Sequence, residues 1–288
     1  MASPRVTVII ATYNWSSVLR YAIDSVLAQT MRDFEVLVVG DGCTDDSEQV
    51  VAAAGDPRVR WINLPENTGH QTGPNNRGLQ EARGEFIAYL GHDDLWLSHH
   101  LQCTADALEE SGCAFAHSLL IRISGDHDVG IPVLPKPRYG WGGPPSCTVH
   151  RRSVIDTIGG WNDYRTLSVP PEIDLFHRAQ AAGFKAVFVP RLTSIKFPAS
   201  QRKDAYRERP SHEQSDWLKR IRSDPNFEAA HLVRVIQSMV NDIPREMPIR
   251  RLLNTFIEEL FKRVAGRLAR IVHPQGSGID RNKKYKGL

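Results

Sequence analysis

A regular alternation of strand-like and helix-like segments in the N-terminal third of the chain is the feature that most constrains its fold. Four apolar, β-branched runs have the length of buried strands, at residues 6–10, 34–39, 59–64 and 86–90. Apolar residues recur at helical spacing over residues 16–29, 47–54 and 73–82. This alternation indicates βαβ units, and therefore an α/β fold with a mostly parallel, Rossmann-like sheet flanked by helices.

Polar segments directly follow three of these strands. They are residues 12–14 (Thr-Tyr-Asn), 41–42 (Asp-Gly) and 92–94 (His-Asp-Asp). In open parallel sheets, ligands bind beyond the carboxyl ends of the strands. The sequence therefore predicts that these three segments share one ligand site.

Composition and motifs exclude several classes of protein. The 288 residues carry a formal net charge of only +3, so the chain as a whole does not have the charge of a nucleic-acid binder. No Gly-x-Gly-x-x-Gly follows a strand, which argues against a dinucleotide dehydrogenase. Residues 12–16 contain no glycine and no basic residue, which argues against the phosphate loop of a nucleotidyltransferase.

The cysteines and the apolar segments bear on the cellular compartment. The four cysteines lack the close spacing of a metal or redox motif, so we expect them to be reduced. The sequence has no signal-peptide pattern and no apolar run of membrane-spanning length. We therefore expect a cytoplasmic protein, with peripheral attachment to the inner face of the membrane as an open alternative.

The later part of the chain is less regular. Residues 130–145 are rich in glycine and proline and predict a loop, residues 172–182 a helix, and residues 186–190 a strand. After about residue 200 the pattern becomes helical. We therefore predict a domain over 1–200 and a helical C-terminal extension over 201–288.

The C-terminal extension is basic. Residues 245–288 carry 11 lysines and arginines against four acids, and residues 248–272 have the pattern of a basic amphipathic helix. Such a helix can lie on an anionic membrane surface, pack on the catalytic domain, or pair with a second chain. These three readings stay open.

Asp93 and Asp94 are the strongest metal-ligand candidates. Two adjacent carboxylates at a strand end repel each other unless a cation lies nearby, and carboxylate oxygens suit Mg²⁺ or Mn²⁺. Such an ion would also bind the phosphates of a nucleotide. The sequence therefore favours a divalent-cation cofactor.

An ordered set of motifs over about residues 4–200 carries a resemblance to a known family. The set comprises residues 8–14, 38–45, 67–69, 76–79, 82–90 and 92–94, and then residues 151–152, 158–161 and 172–175. It resembles the family 2 inverting glycosyltransferases of the GT-A fold. The resemblance implies transfer of a sugar from a nucleotide-diphosphate sugar, with a UDP-sugar expected, to a hydroxyl of a saccharide or lipid-linked acceptor. It further implies a role in polysaccharide or glycolipid synthesis.

The resemblance also assigns roles at the donor side of the site. The residues implied to bind the nucleotide are Thr12, Tyr13, Asn14, Asp41 and Asp93. Tyr13 is expected to stack on the base, and Asp41 to accept a hydrogen bond from it. Asp94 is expected to be the direct metal ligand, with Asp93 as a ribose contact or second metal contact.

At the acceptor side, the resemblance implies Glu172 as the general base and Asp174 as a structural acid. Glu172 is predicted in the first turn of a helix, where the helix dipole favours an ionised carboxylate. Trp161 and Trp141 are candidates for packing against an acceptor sugar.

Three positions depart from the family pattern. Gly40 stands where the family has an acid, and Asn75 stands where many members have an arginine. No histidine lies near Lys196, where many members have one that holds the diphosphate or the metal. Lys196 could serve the phosphates as a point charge, or His212 could reach the site. The alternative function is a catalytically inactive nucleotide-sugar-binding partner subunit.

Overall fold

The strands that the structure describes form one mixed sheet. The structure, a computed structural model, describes residues 3–123, 131–133, 143–199 and 204–241. Within these ranges the strands are β1 Val6–Thr12, β2 Phe34–Gly40, β3 Val59–Asn63, β4 Phe86–Gly91, β5 Leu95–Trp96, β6 Phe115–Arg122, β7 Ile131–Val133, β8 Thr148–Arg151 and β9 Ala186–Lys196. The strand order is β3-β2-β1-β4-β8-β6-β9-β5, and β7 pairs with β6.

Helices connect and cover these strands. In the described ranges they are α1 Ser16–Leu27, α2 Ser47–Ala53, α3 Thr72–Glu81, α4 His100–Ser111, α5 Arg152–Ile158, α6 Pro171–Ala181, α7 Ala205–Glu208, α8 His212–Ser223 and α9 Phe227–Asn241. Short 3₁₀ helices span Pro145–Cys147 and Tyr164–Thr166. The α/β fold predicted from the sequence is confirmed.

The first four strands are parallel, as predicted, and their register positions the site. In the β1–β2 ladder Thr12 pairs with Gly40, and in the β1–β4 ladder Ala11 pairs with Gly91. The three strands therefore end side by side, and the polar segments that follow them meet at one edge of the sheet.

The other half of the sheet is mixed. β8 is antiparallel to both β4 and β6, while β9 is parallel to β6. The sequence predicted that β9 would end at Pro190, but it continues to Lys196. Pro190 lies in a register shift between Val189 and Leu192, and proline is tolerated at such a bulge because its missing N–H breaks no ladder bond there. The longer strand brings Lys196 to the site.

The central strands are buried on both faces. On β1, Val8 and Ile10 pack in a cluster with Leu19 and Ile23 of α1. Ile9 points to the opposite face, into a second cluster that includes Trp161. Burial on both faces explains the continuous apolar runs that predicted these strands.

The chain divides into two compact units, Met1–Pro225 and Asn226–Leu288. The predicted domain boundary at residue 200 lies before the division at Pro225, because α8 belongs to the first unit. Its Arg222 Nη2 donates to the carbonyl oxygen of Asp24 in α1, at 3.3 Å. In the second unit, the described residues form α9. The predicted amphipathic helix over 248–272 lies outside the described residues.

None of the helices in the described ranges is long and apolar enough to cross a bilayer.

Three buried histidines should make the fold sensitive to acid. Burial lowers the pKa of His100 to about 3 and the pKa values of His117 and His150 to about 4. Between about pH 6.5 and 4 the unfolded chain therefore binds more protons than the folded chain, so stability is lost as the pH falls. We expect the free energy of unfolding to drop by about 2 kcal/mol or more from pH 7 to pH 5, measured by urea denaturation.

Exposed histidines provide the control for this prediction. The variant His177→Gln should keep the full pH dependence, because its side chain is exposed on α6. His117→Gln should show a shallower dependence than the unchanged protein. An unchanged slope in His117→Gln would contradict the assignment.

Candidate active site

A cleft of about 540 Å³ opens at the edge where the strands end. The described residues that line it are Ala11, Thr12, Tyr13, Asp41, Asn67, Gly69, His70, Gln71, Pro74, Gly91, His92, Asp93, Lys196, Pro198, Ala199 and Tyr206. All three predicted polar segments contribute to this lining or to its support. The cleft has the size of a small-molecule site, and its position agrees with the rule for open α/β sheets.

The residues after β1 have different surroundings. Tyr13 lines the cleft with 37% of its surface exposed, so its ring is available to a ligand. Thr12 is buried, and its hydroxyl lies 2.9 Å from Nδ1 of His92. Asn14 does not line the cleft. Its Oδ1 accepts from the backbone N–H groups of Thr44 and Asp45, at 2.7 and 3.2 Å, and so ties β1 to the loop after β2.

Asp41 is held in place by the loop over residues 67–69. Its Oδ1 accepts from the backbone N–H and the hydroxyl of Thr68, at 2.9 and 2.8 Å. Its Oδ2 accepts only a longer bond of 3.3 Å, from the backbone N–H of Gly69. A carboxylate oxygen has two acceptor sites, so Oδ2 keeps capacity for a ligand N–H.

The structure explains the departure at Gly40. A Cβ at Gly40 would lie 2.5 Å from Oδ1 of Asn63 and 2.6 Å from the ring of Trp61. Asn63 is itself fixed, since its amide exchanges two hydrogen bonds of 2.9 Å with the backbone of Cys43. The space where the family pattern has an acid is therefore filled by β3 side chains.

His92 is a neutral hydrogen-bonding residue of the cleft. Burial lowers its pKa to about 4, against the opposing influence of Asp94. The backbone N–H of Tyr13 donates to Nδ1 at 3.4 Å, which places the ring proton on Nε2. His92 therefore offers an N–H donor at neutral pH.

Asp93 and Asp94 differ in a way that the sequence pattern did not predict. Asp93 lines the cleft, whereas the side chain of Asp94 is completely buried. Asp94 accepts hydrogen bonds from the Ser146 hydroxyl, from the Phe197 backbone N–H at 2.9 Å, and from Lys196 Nζ at 3.0 Å. The geometry thus differs from the expectation of Asp94 as the direct metal ligand, because its carboxylate is completely buried and each of its oxygens already accepts from a protein donor.

Gly91 makes this arrangement possible. A Cβ at Gly91 would lie 2.9 Å from Oδ2 of Asp94 and 3.1 Å from Oδ1 of Asp93. Without a side chain at Gly91, both carboxylates fold back over the end of β4.

Glu172 lies in the first turn of α6 and does not line the cleft, but it acts electrostatically on two residues that do, His70 and Lys196. Burial lowers the pKa of His70, and the charges of Glu172 and Asp41 oppose that shift. Glu172 also contributes to raising the pKa of Lys196. Among the described residues, its half-buried carboxylate has no hydrogen-bond partner.

Asp174 has a structural position. Its Oδ2 accepts from Nδ2 of Asn162 at 3.0 Å and from Nε of Arg178 at 2.9 Å. The other nitrogens of Arg178 donate to the carbonyl oxygens of Ile158 and Gly160. This network fixes the turn before α6 and leaves Glu172 as the carboxylate of that turn that is open to a ligand.

The expectation that Trp161 contacts an acceptor sugar must be corrected. Trp161 is only 4% exposed and packs edge-on against Tyr89, with ring centroids 5.2 Å apart. Its backbone exchanges two hydrogen bonds of 2.8 Å with the amide of Asn76. Its ring therefore belongs to the core. Trp141 lies outside the described residues.

Several residues of the site were not predicted from the sequence, and three of them have clear roles in it. Tyr206 of α7 lines the cleft, is 50% exposed, and lies edge-on to Trp15. Gln214 of α8 donates to the carbonyl oxygen of Asp93 at 3.2 Å, and Ser146 donates to Asp94. No local pattern marks these residues, since they reach the site through tertiary packing. His212, the alternative phosphate ligand, is exposed and does not line the cleft.

The residues present fit a divalent cation of the kind expected from the sequence. Mg²⁺ in nucleotide sites is usually bound by one or two carboxylates together with substrate phosphates, and Asp93 supplies one such carboxylate at the cleft. Within the described ranges, no group of three metal-ligating side chains forms a cage. The described residues therefore fit an ion that is held jointly by the protein and a bound nucleotide.

Comparisons with known proteins agree with this geometry. Residues 7–140 match the model of the family described as "Glycosyl transferase family 2". The chain is 38% identical over 171 residues to an uncharacterized glycosyltransferase, alr2836, of Nostoc sp., covering 54% of this chain and 53% of that protein. It is 29% identical over 131 residues to the Escherichia coli UDP-Glc:alpha-D-GlcNAc-diphosphoundecaprenol beta-1,3-glucosyltransferase WfgD, covering 46% and 51%. The chain thus spans about half the length of these relatives.

Two solved structures share the fold. TarS 1-349 of S. aureus, in complex with UDP-GlcNAc, has a TM-score of 0.57 and 16% identity, covering 84% of this chain and 77% of that one. The mannosyltransferase PcManGT of Pyrobaculum calidifontis, in complex with GDP-Man and Mn²⁺, has a TM-score of 0.53 and 18% identity, covering 100% and 80%. The architecture is therefore that of the GT-A glycosyltransferases. Over residues 7–140 the chain is similar to glycosyl transferase family 2.

Proposed function

We propose that this protein is an inverting glycosyltransferase that moves a sugar from a UDP-sugar to a hydroxyl of a saccharide or lipid-linked acceptor in polysaccharide or glycolipid synthesis. One observation carries the proposal. Tyr13, Asp41 and Asp93 line one cleft at the strand ends. The helix-start carboxylate of Glu172 acts electrostatically on His70, which belongs to the same lining. The UDP preference is supported by the donors named for TarS and WfgD.

The donor side of the cleft would orient the nucleotide. Tyr13 offers a flat ring for the base, and Oδ2 of Asp41 accepts a base N–H. Asp93 would hold a divalent cation, Mn²⁺ or Mg²⁺, together with the diphosphate. When bound, such an ion stabilises the charge of the leaving nucleoside diphosphate.

The acceptor side would supply the general base. Glu172 takes the proton from the acceptor hydroxyl as its oxygen attacks the anomeric carbon. The bond from that carbon to the diphosphate breaks as the new glycosidic bond forms on the opposite face. This single displacement inverts the anomeric configuration.

The donor assignment predicts a nucleotide preference. In calorimetric titrations of UDP, GDP and dTDP with Mn²⁺, we expect UDP to bind more tightly than GDP, because the site is proposed to read uracil through Tyr13 and Asp41. Tyr13→Ala should weaken UDP binding by about 10-fold through the lost stacking contact. The control Tyr21→Ala should not, since Tyr21 lies on α1 outside the cleft.

Two outcomes would count against the proposal in different ways. No binding of any of the three nucleotides would remove the donor site. Tight UDP binding without release of UDP from UDP-sugars, with or without saccharide and lipid-linked acceptors, would favour the inactive partner subunit instead.

A further inference from the structure

Lys196 is the one lysine or arginine among the described residues that line the cleft. It stands as the last residue of β9, where that strand pairs with Arg122 of β6. Its side chain is 29% exposed, so the ammonium group is accessible from the cleft without lying on the open surface. This position puts a cation among carboxylates at the proposed nucleotide site.

The position of Lys196 is fixed by a buried partner. Asp94 is completely buried and accepts from Lys196 Nζ at 3.0 Å, while Ser146 and the Phe197 backbone hold the carboxylate from other directions. An ammonium has three N–H donors, and the described contacts use one of them. The remaining donors are available to a ligand in the cleft.

The neighbouring carboxylates favour the charged form of Lys196. Burial by itself would lower its pKa, but the neighbouring carboxylates Asp94 and Asp93 outweigh this, and the pKa lies above its usual range. The charges of Asp93, Asp94 and Lys196 together sum to one net negative charge. On the proposed function, Lys196 would therefore add to the charge neutralisation that a metal ion gives a diphosphate, and would not replace that ion.

We propose that Lys196 is a diphosphate-binding residue of the donor site, with Asp94 as its positioning residue. The proposal rests on the proposed function and adds that part of the diphosphate affinity comes from the chain and survives without a divalent cation. It also makes Asp94 the residue that orients the ammonium group of Lys196. This role explains why Asp94, the second acid of the Asp93–Asp94 pair, is buried.

Calorimetric titration in EDTA tests this, with UDP, uridine and inorganic pyrophosphate as probes. We expect the unchanged protein to bind UDP at least about 10-fold more tightly than uridine without metal, since charge-assisted hydrogen bonds to phosphate are strong. In Lys196→Met this ratio should fall toward one, while uridine binding stays the same. Lys185→Met, at an exposed lysine just before β9, should behave like the unchanged protein.

A second variant guards against misfolding, because Lys196→Met alone leaves Asp94 buried without its cation. The double variant Asp94→Asn/Lys196→Met removes both charges and should show the same loss of UDP and pyrophosphate affinity. Equal UDP-to-uridine ratios in the unchanged protein and the double variant would overturn the proposal. UDP binding that is absent in EDTA and restored by Mn²⁺ would also overturn the proposal. That result would leave the proposed function intact.

Failure of the proposed function looks different. If no nucleotide binds even with Mn²⁺, the donor assignment is lost. In that case, pyrophosphate binding that is lost in Lys196→Met would still support the diphosphate-binding role of Lys196. Absence of pyrophosphate binding would overturn that role.

Discussion

Replacing Glu172 by glutamine is expected to lower sugar transfer by about 10³-fold while leaving the affinity for UDP unchanged. A general base contributes roughly 10²–10⁴-fold to rate, and glutamine keeps the shape of glutamate but cannot accept the proton. Donor binding should be spared, because the proposed contacts to the base and diphosphate come from the strand ends and not from α6. The measurement is UDP release with acceptor, alongside calorimetric binding of UDP.

The surroundings of Glu172 and Asp174 make this prediction specific. Asp174 is committed to Arg178 and Asn162, whereas Glu172 has no hydrogen-bond partner among the described residues and acts electrostatically on His70 at the cleft.

Asp174→Asn and His177→Gln are the comparisons for this variant. Asp174→Asn should lower stability, because it weakens an ion pair that fixes the turn before α6. His177→Gln changes an exposed residue of the same helix and should change neither property. If Asp174→Asn abolished transfer at full stability while Glu172→Gln remained active, the two roles would have to be exchanged.

The parallel half of the fold was predictable from the sequence, because the residue pattern within each strand is enough to identify it. Strands buried on both faces must be continuously apolar, and each ends where polar residues begin, so β1, β2 and β4 and the site at their ends followed from the pattern. The start of α6 was equally local, since Pro170 and Pro171 mark it.

The rest of the site depends on contacts between distant parts of the chain. Pro190 predicted a strand end. In the structure Pro190 lies in a bulge, and β9 continues to pair with β6 as far as Lys196. Trp161 was a candidate for packing against an acceptor sugar, yet its ring packs against Tyr89 in the core. A local pattern gives the type of side chain but not whether tertiary packing buries it.

The Asp93–Asp94 pair shows the same limit most clearly. Adjacent residues after a strand are equivalent in the sequence pattern, and it was the family resemblance that implied Asp94 as the direct metal ligand. Only the structure shows that Asp94 is enclosed by Ser146, Phe197 and Lys196, while Asp93 lines the cleft. The expected metal role therefore moves to Asp93, as a proposal that separate variants can test.

Asp93→Asn is expected to lower transfer by about 10²–10³-fold and to remove the gain in UDP affinity that Mn²⁺ gives. An amide oxygen carries no net charge, so the shared site for a cation and a diphosphate loses the protein's anionic ligand. The fold should be little affected, since Asp93 lies at the cleft. Calorimetric titration of UDP with and without Mn²⁺ measures the gain, and urea denaturation measures the stability.

Asp94→Asn should give the opposite pattern. It removes the charge that is paired with Lys196 inside the protein, and breaking a buried ion pair destabilises a fold by roughly 3–5 kcal/mol. The Mn²⁺ gain in UDP affinity should nevertheless persist in whatever fraction is folded, because Asp93 is intact. Loss of the Mn²⁺ effect in Asp94→Asn, with Asp93→Asn retaining it, would return the metal to Asp94 and require the Asp94–Lys196 pair to open when the nucleotide binds.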